Sequence, residues 1–147
     1  MCYLEKFSKD YGAELYLIFR VIVGVLFAFH GSQKLLGWFG GGGISGTAGF
    51  FGNLGIPLAG VFAVIVAIVE FGGGIAIALG LFTRLMAILG TATMIAALAL
   101  VHFPKGWMPL KNGGELPLLF IAAFLVLLSR GAQKYSLEKK LIGEEMF

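Results

Sequence analysis

The chain has 147 residues, 59% of them hydrophobic and 13% charged, with a mean hydropathy of +0.93. A water-soluble domain carries about a quarter charged residues, and this length holds about one domain, so lipid rather than a second core is the natural solvent for the excess apolar surface. The formal charge of +3 does not point to nucleic acid, because the basic residues sit in short segments flanking apolar runs and form no basic helix with base-reading polar side chains.

The N-terminal fourteen residues are polar, with Glu5, Lys6, Lys9, Asp10 and Glu14. Cys2 is the one cysteine, which leaves no disulfide framework, no Cys-x-x-Cys pair and no iron–sulfur spacing. The first apolar run, 15–36, is long enough to span a bilayer and reads as a retained helix rather than a cleaved signal. Further runs at 58–82, 85–103 and 115–130 predict an all-α, four-helix membrane bundle forming a single domain over 1–147. The last run is the shortest, and Pro117 in its first turn suits a helix start. Gly72, Gly73, Gly74, Ala96 and Ala97 fall inside these runs, as expected where helix backbones approach closely in lipid.

The first connection carries no charge between Lys34 and Glu70. It contains the glycine run Gly40–Gly43 with Trp38 and Phe39 before it, then Thr47 to Leu54, then Gly55 and Pro57. Thr47 as a cap and Gly55 as a stop predict a short half-helix, and Phe50 and Phe51 rest it at the interface or fold it back over the bundle. The glycine run lacks the Gly-Lys-Ser/Thr ending of a phosphate loop, which argues against nucleotide binding and favours the plainer reading of a flexible interfacial loop.

Lysine and arginine placement sets the expected topology. Lys6, Lys9, Arg84, Arg130, Lys134, Lys139 and Lys140 lie on one side, against Lys105 and Lys111 on the other. Four spans with this bias put both termini in the cytoplasm, and the 38–57 and 104–114 connections outside.

A charge near the bilayer centre costs about 2.5–3.5 kcal/mol on insertion scales, so each one retained asks for a partner or a job. Arg20 lies roughly 8–9 Å into the first span and Glu70 roughly 15–18 Å from either edge of the second. Antiparallel neighbours at these depths are expected to pair. The pair reads either as a structural clamp or as a proton or ligand carboxylate tuned by Arg20. At the outer end, His30 and Lys34 sit one turn apart on the first helix, on or beside the face marked by Arg20, Gly24, Phe27 and Gly31. The third helix ends at His102, about five turns after Arg84, and Glu115 opens the fourth at the same level. His30, Lys34, His102 and Glu115 are therefore expected to line one outward pocket roofed by the 38–57 loop. Against this stands the plainer reading, in which Lys34 snorkels to headgroups and His102 and Glu115 sit in interfacial water. Two histidines without a further ligand pattern do not make a metal site.

The run Arg20, Gly24, Phe27, His30-Gly31, Lys34, Gly37, the segment Phe50–Pro57 ending Gly55-Ile56-Pro57, Glu70-Phe71-Gly72-Gly73-Gly74 and Gly80-Leu81-Phe82-Thr83-Arg84 together resemble the DoxX family. His102, Gly113-Gly114-Glu115, Gly131 and Ser136-Leu137 complete the pattern, which covers about residues 13–138. The resemblance implies a four-helix protein of a prokaryotic inner membrane. It further implies kinship with a subunit of a thiosulfate:quinone oxidoreductase and with complexes handling sulfur and oxidative stress.

Three functions follow as expectations. One is the quinone-interacting membrane subunit of a redox complex, with quinone as cofactor and His30 or Glu70 exchanging protons. The second is binding or movement of a small molecule or lipid, and the third a scaffold whose polar residues only hold helices together. The resemblance favours the first. The partners these readings admit are the lipid bilayer, a soluble redox protein and a second copy of the chain, with no nucleic acid.

Overall fold

In the computed structural model, residues 3–145 are described, with side chains from residue 10 onward; Cys2 and the side chains of Glu5, Lys6 and Lys9 lie outside the described residues. The helices are α1 (Tyr3–Leu35), α2 (Gly43–Asn53), α3 (Ala59–Leu79), α4 (Thr83–Ala97), α5 (Pro109–Asn112), α6 (Glu115–Arg130) and α7 (Leu137–Ile142). A π-helical turn (Leu98–His102) and a 3₁₀ turn (Phe103–Lys105) prolong α4. Three segments, Asp10–Leu35, Ala59–Leu79 and Thr83–Lys105, are long and apolar enough to cross a membrane. At 16 residues α6 rises about 24 Å, short of a hydrocarbon core of about 30 Å. The architecture is an all-α membrane helical bundle built from α1, α3, α4 and α6.

Helix α1 separates its two faces by residue type. Ile18, Ile22, Leu26 and Phe29 follow helical spacing and are exposed, as a lipid-facing stripe should be. Arg20, Gly24, Phe27 and Gly31 form the opposite stripe, packed inward. A Cβ at Gly24 would lie 2.6 Å from both the Gly74 carbonyl oxygen and the Ala78 nitrogen, and one at Gly74 would lie 2.6 Å from the Gly24 carbonyl oxygen. The two glycines thus let the α1 and α3 backbones touch, which is how transmembrane helices gain packing energy without a hydrophobic driving force. Gly90 does the same for α4, with the Phe124 ring of α6 filling the space its side chain would occupy. Phe27, Phe120 and Phe124 form the centre of the core, with ring centroids 4.9–5.6 Å apart.

We call the end holding the start of α1, the α3–α4 turn and the close of α6 the tail end, and the opposite one the loop end. At the tail end the chain after α6 folds back under the bundle. Tyr16 donates its hydroxyl to the Gly131 carbonyl at 2.6 Å. The Ser136 hydroxyl donates to the Gly80 carbonyl at 3.0 Å, and the Glu138 amide donates to the same oxygen at 3.2 Å. Glu138, fully buried, accepts from the Phe82 N–H at 3.0 Å. Phe82 holds φ of 47°, a conformation costly for a non-glycine residue, and the carboxylate meets the amide at the start of α4. The family-type residues Gly80, Gly131 and Ser136 therefore belong to a latch that holds the C-terminal segment against the bundle.

Candidate functional site

The loop end encloses a cavity of about 910 Å³. Phe27 and Phe120 form its aromatic base, above Phe124. Helix α2 roofs it with Gly46, Thr47, Phe50 and Phe51, and the Leu54–Pro57 turn closes the same side. The short helix predicted in the first connection thus folds back over the bundle. It starts at Gly43, before the expected cap. Thr47 lies inside it, buried, and donates its hydroxyl to the Gly43 carbonyl at 2.8 Å. Gly55, at φ of 73°, ends it with the left-handed residue such a stop requires.

Glu70 projects into this cavity from α3 and is 2% exposed. Its partner is Lys34, whose Nζ donates to Oε2 at 2.5 Å. Local packing sets the pair. A Cβ on Gly31 would strike the backbone of Glu70 and Phe71, so glycine brings α1 hard against α3 at this level. One turn further along α1, the lysine stem then reaches the carboxylate.

The expected Arg20–Glu70 pair does not form. The register explains why: Gly24 meets Gly74 and Ala78, whereas Gly31 meets Glu70, so the level of Arg20 lies about 16 Å along the axis from that of Glu70. Arg20, 1% exposed, instead donates to three backbone carbonyls at the tail end: Ala132 at 2.9 Å, Tyr135 at 2.7 Å and Ala78 at 3.4 Å.

His30 and His102 both line the cavity with Lys34. The His30 ring stands edge-on to Phe120, centroids 6.0 Å apart at 90°, and among the described residues it has no hydrogen-bond partner. His102 ends the π turn, and its Nδ1–H donates to the Asn112 carbonyl at 2.9 Å. A carbonyl only accepts, so in this bond Nδ1 carries the hydrogen. Asn112 is itself fixed: Nδ2 donates to the Gly106 carbonyl at 2.6 Å, and Oδ1 accepts from the Gly114 N–H at 2.7 Å. The sequence gives little warning of this buried turn beyond Asn112-Gly113-Gly114 following Pro109.

Glu115 departs from expectation. It is exposed and does not line the cavity, because α6 presents Leu116, Pro117 and Phe120 there. The pocket therefore gathers His30, Lys34 and His102 with Glu70, which sequence reasoning had placed apart from them at mid-membrane, and excludes Glu115 and Arg20. Chemically it offers a largely apolar chamber with a half-buried ion pair, a histidine without a hydrogen-bond partner among the described residues, and a second histidine whose Nδ1–H is held by a backbone carbonyl.

The pattern that defines the family described as DoxX matches residues 15–103. Among relatives, a protein of Haemophilus influenzae named only as uncharacterized is 34% identical over 140 residues, 93% of this chain and 95% of its own. CatD of Bacillus subtilis, by name a candidate oxidoreductase, is 30% identical over 122 residues, 83% of each chain. The inner membrane protein YqjF of Escherichia coli is 30% identical over 130 residues, 85% of this chain and 90% of its own. No solved structure matches.

Proposed function

This chain belongs to the DoxX family, and from that premise we propose that it is the membrane subunit of a redox complex, holding a quinone head group in the loop-end cavity. The observation that carries this reading is the Lys34–Glu70 pair set, with His30, in a chamber whose remaining lining is mostly apolar. The name of CatD supports the reaction class, and that of YqjF supports a prokaryotic inner membrane as the location. The lysine and arginine bias supports cytoplasmic termini, which turns the cavity toward the outer leaflet.

The residues present fit such a group. A quinone supplies two-electron, two-proton acceptor chemistry, and its carbonyl oxygens accept hydrogen bonds but donate none. Lys34 has three donors, of which Glu70 takes one. The Glu70 carboxylate fixes the ammonium at the cavity wall and offsets the cost of a charge at this depth. His30 supplies a ring nitrogen able to donate to an oxygen or move a proton. Phe27 and Phe120 offer flat apolar surface for a ring and keep water from the base. Electrons reach the site from a soluble partner in this reading.

The test is binding of a tailless benzoquinone to purified protein in lipid nanodiscs. Replacing His30 by Ala should weaken it at least about tenfold, the worth of one good hydrogen bond in a dry site, while leaving the melting temperature nearly unchanged. A histidine that only fills the helix interface behaves oppositely, losing stability while quinone affinity per folded molecule stays constant. That outcome, or wild-type protein that ignores quinones but co-purifies with a bound lipid, would transfer the site to the alternative reading as a lipid-binding chamber.

A further inference from the structure

The cavity has one side that, among the described residues, no helix seals. Near the tail end α3 and α4 are in contact, and a Cβ on Gly73 would lie 3.4 Å from the Met86 sulfur. Toward the loop end the same two faces part. Phe62 and Val66 on α3, and Thr93, Ala97 and Val101 on the α4 segment, line the cavity instead of meeting across it. Phe62 and Leu100 belong to the cavity wall yet are 43% and 48% exposed, so the wall continues onto the lipid-facing surface. From the level of Glu70 to that of Phe62 this crevice runs about 12 Å along α3.

Two features of the sequence hold the crevice open. Ala97 is small where a larger residue would bridge the gap. The π turn at Leu98–His102 inserts an extra residue into α4, which changes the direction of the wall at Val101 and sets His102 at the cavity's outer rim. Four of the five side chains along the crevice are hydrocarbon, and the hydroxyl of Thr93 is turned back onto the Leu89 carbonyl at 2.9 Å. A charged or water-soluble ligand gains nothing from such a passage. An apolar chain does, at every methylene it buries.

We propose that the crevice between the loop-end halves of α3 and α4 is a side portal through which a tailed amphiphile enters from the bilayer, its polar head at Lys34, Glu70 and His30 and its prenyl or acyl tail lying between Phe62, Val66, Ala97 and Val101. The inference rests on the cavity being a head-group site, and it names what that reading leaves open: the ligand is lipid-borne, and its tail is recognised by this chain.

The test uses wild-type protein in nanodiscs and two benzoquinones with the same head, one tailless and one carrying an isoprenoid tail with a photoreactive diazirine. Irradiation should label peptides containing Phe62–Val66 or Thr93–Val101. Labelling confined to α1 or α6 overturns the portal. In parallel, the ratio of tailed to tailless affinity, measured as mole fraction of lipid, should fall about tenfold or more in Ala97→Phe and Val66→Trp, since losing roughly two or three buried methylenes is worth that factor. An unchanged ratio in both variants also overturns it. Should wild-type protein bind neither quinone, the head-group reading fails instead, a result the tailless ligand reports on its own.

Discussion

The two ends of the bundle bury charge in opposite ways. At the tail end the two terminal nitrogens of Arg20 donate to the carbonyls of Ala132, Tyr135 and Ala78, and Glu138 accepts the Phe82 amide; both side chains have almost no exposed surface. At the loop end Glu70 is as deeply buried, but Lys34 remains 29% exposed on the cavity wall and His30 has no hydrogen-bond partner among the described residues. Charges bound to backbone groups hold a fold together. Charges satisfied by each other, on the wall of a cavity, keep capacity for a ligand. Stability should therefore respond most to the tail end, and binding to the loop end.

The largest effect is expected at Arg20. Arg20→Ala leaves the buried Ala132 carbonyl and the half-buried Tyr135 and Ala78 carbonyls without their donor, and hydrogen bonds to a charged group are worth about 1.5–3 kcal/mol each, so the loss should exceed about 3 kcal/mol. Arg20→Lys should recover little of it, because one ammonium does not reproduce the guanidinium fork. Thermal unfolding in detergent, read by loss of monodisperse protein, checks both. A melting point within a few degrees of wild type would show that the latch does not hold the bundle. Gly24→Leu should come next, at about 1–3 kcal/mol or more, since its side chain has only the α3 backbone to enter.

A double-mutant cycle then separates the ends. Lys34→Met and Glu70→Gln should couple by about 1 kcal/mol or more, as contacting groups do, whereas Arg20→Met with Glu70→Gln should add within about 0.5 kcal/mol. Each loop-end single variant should lose quinone binding before it loses folding. Coupling between Arg20 and Glu70 would contradict the helix register itself. Smaller still is Glu138→Gln, which keeps an oxygen for the Phe82 amide and removes charge beside the first turn of α4. Its cost should be about 1 kcal/mol, the scale of a helix cap, measured by the same melt.

Much of this arrangement could be read in the sequence, and the failures share a cause. Apolar runs located the long helices, and helical spacing put His30 and Lys34 at the level reached by His102. Arg20 was misassigned because its partners are carbonyl oxygens, which every residue carries and no residue name advertises. Glu70 seemed nearer to Arg20 than it is because helix depth counts residues from each end, whereas register is set by contact. The glycines at 24, 31 and 74 held that information, since each marks where one backbone meets the other. Glu138 lies in a tail of alternating charges that looks hydrated, and only the fold-back buries it. Glu115 failed for the opposite reason: it is at the right height, but α6 turns it outward by a fraction of a turn.

The smallest expected effect on stability belongs to a test that decides which side each end faces. Ser45 on α2 and Lys111 at the loop end are exposed, as is Lys139 at the tail end. Asn112, also in the loop-end connection, is unsuitable because its amide holds the turn beneath His102. In a Cys2→Ser background, cysteines at Ser45 and Lys111 should react with a membrane-impermeant maleimide in intact cells, and one at Lys139 should react only after lysis. None should shift the melting temperature beyond the roughly 0.5 kcal/mol typical of surface substitutions. The reason to expect this orientation is electrostatic: Arg84, Arg130, Lys134, Lys139 and Lys140 all lie at the tail end, and cytoplasmic loops retain such charges. If Lys139→Cys labels in sealed cells while Ser45→Cys does not, the cavity opens toward the cytoplasmic leaflet. A soluble electron donor would then meet the head-group site directly, and the latch would be the face turned away from it.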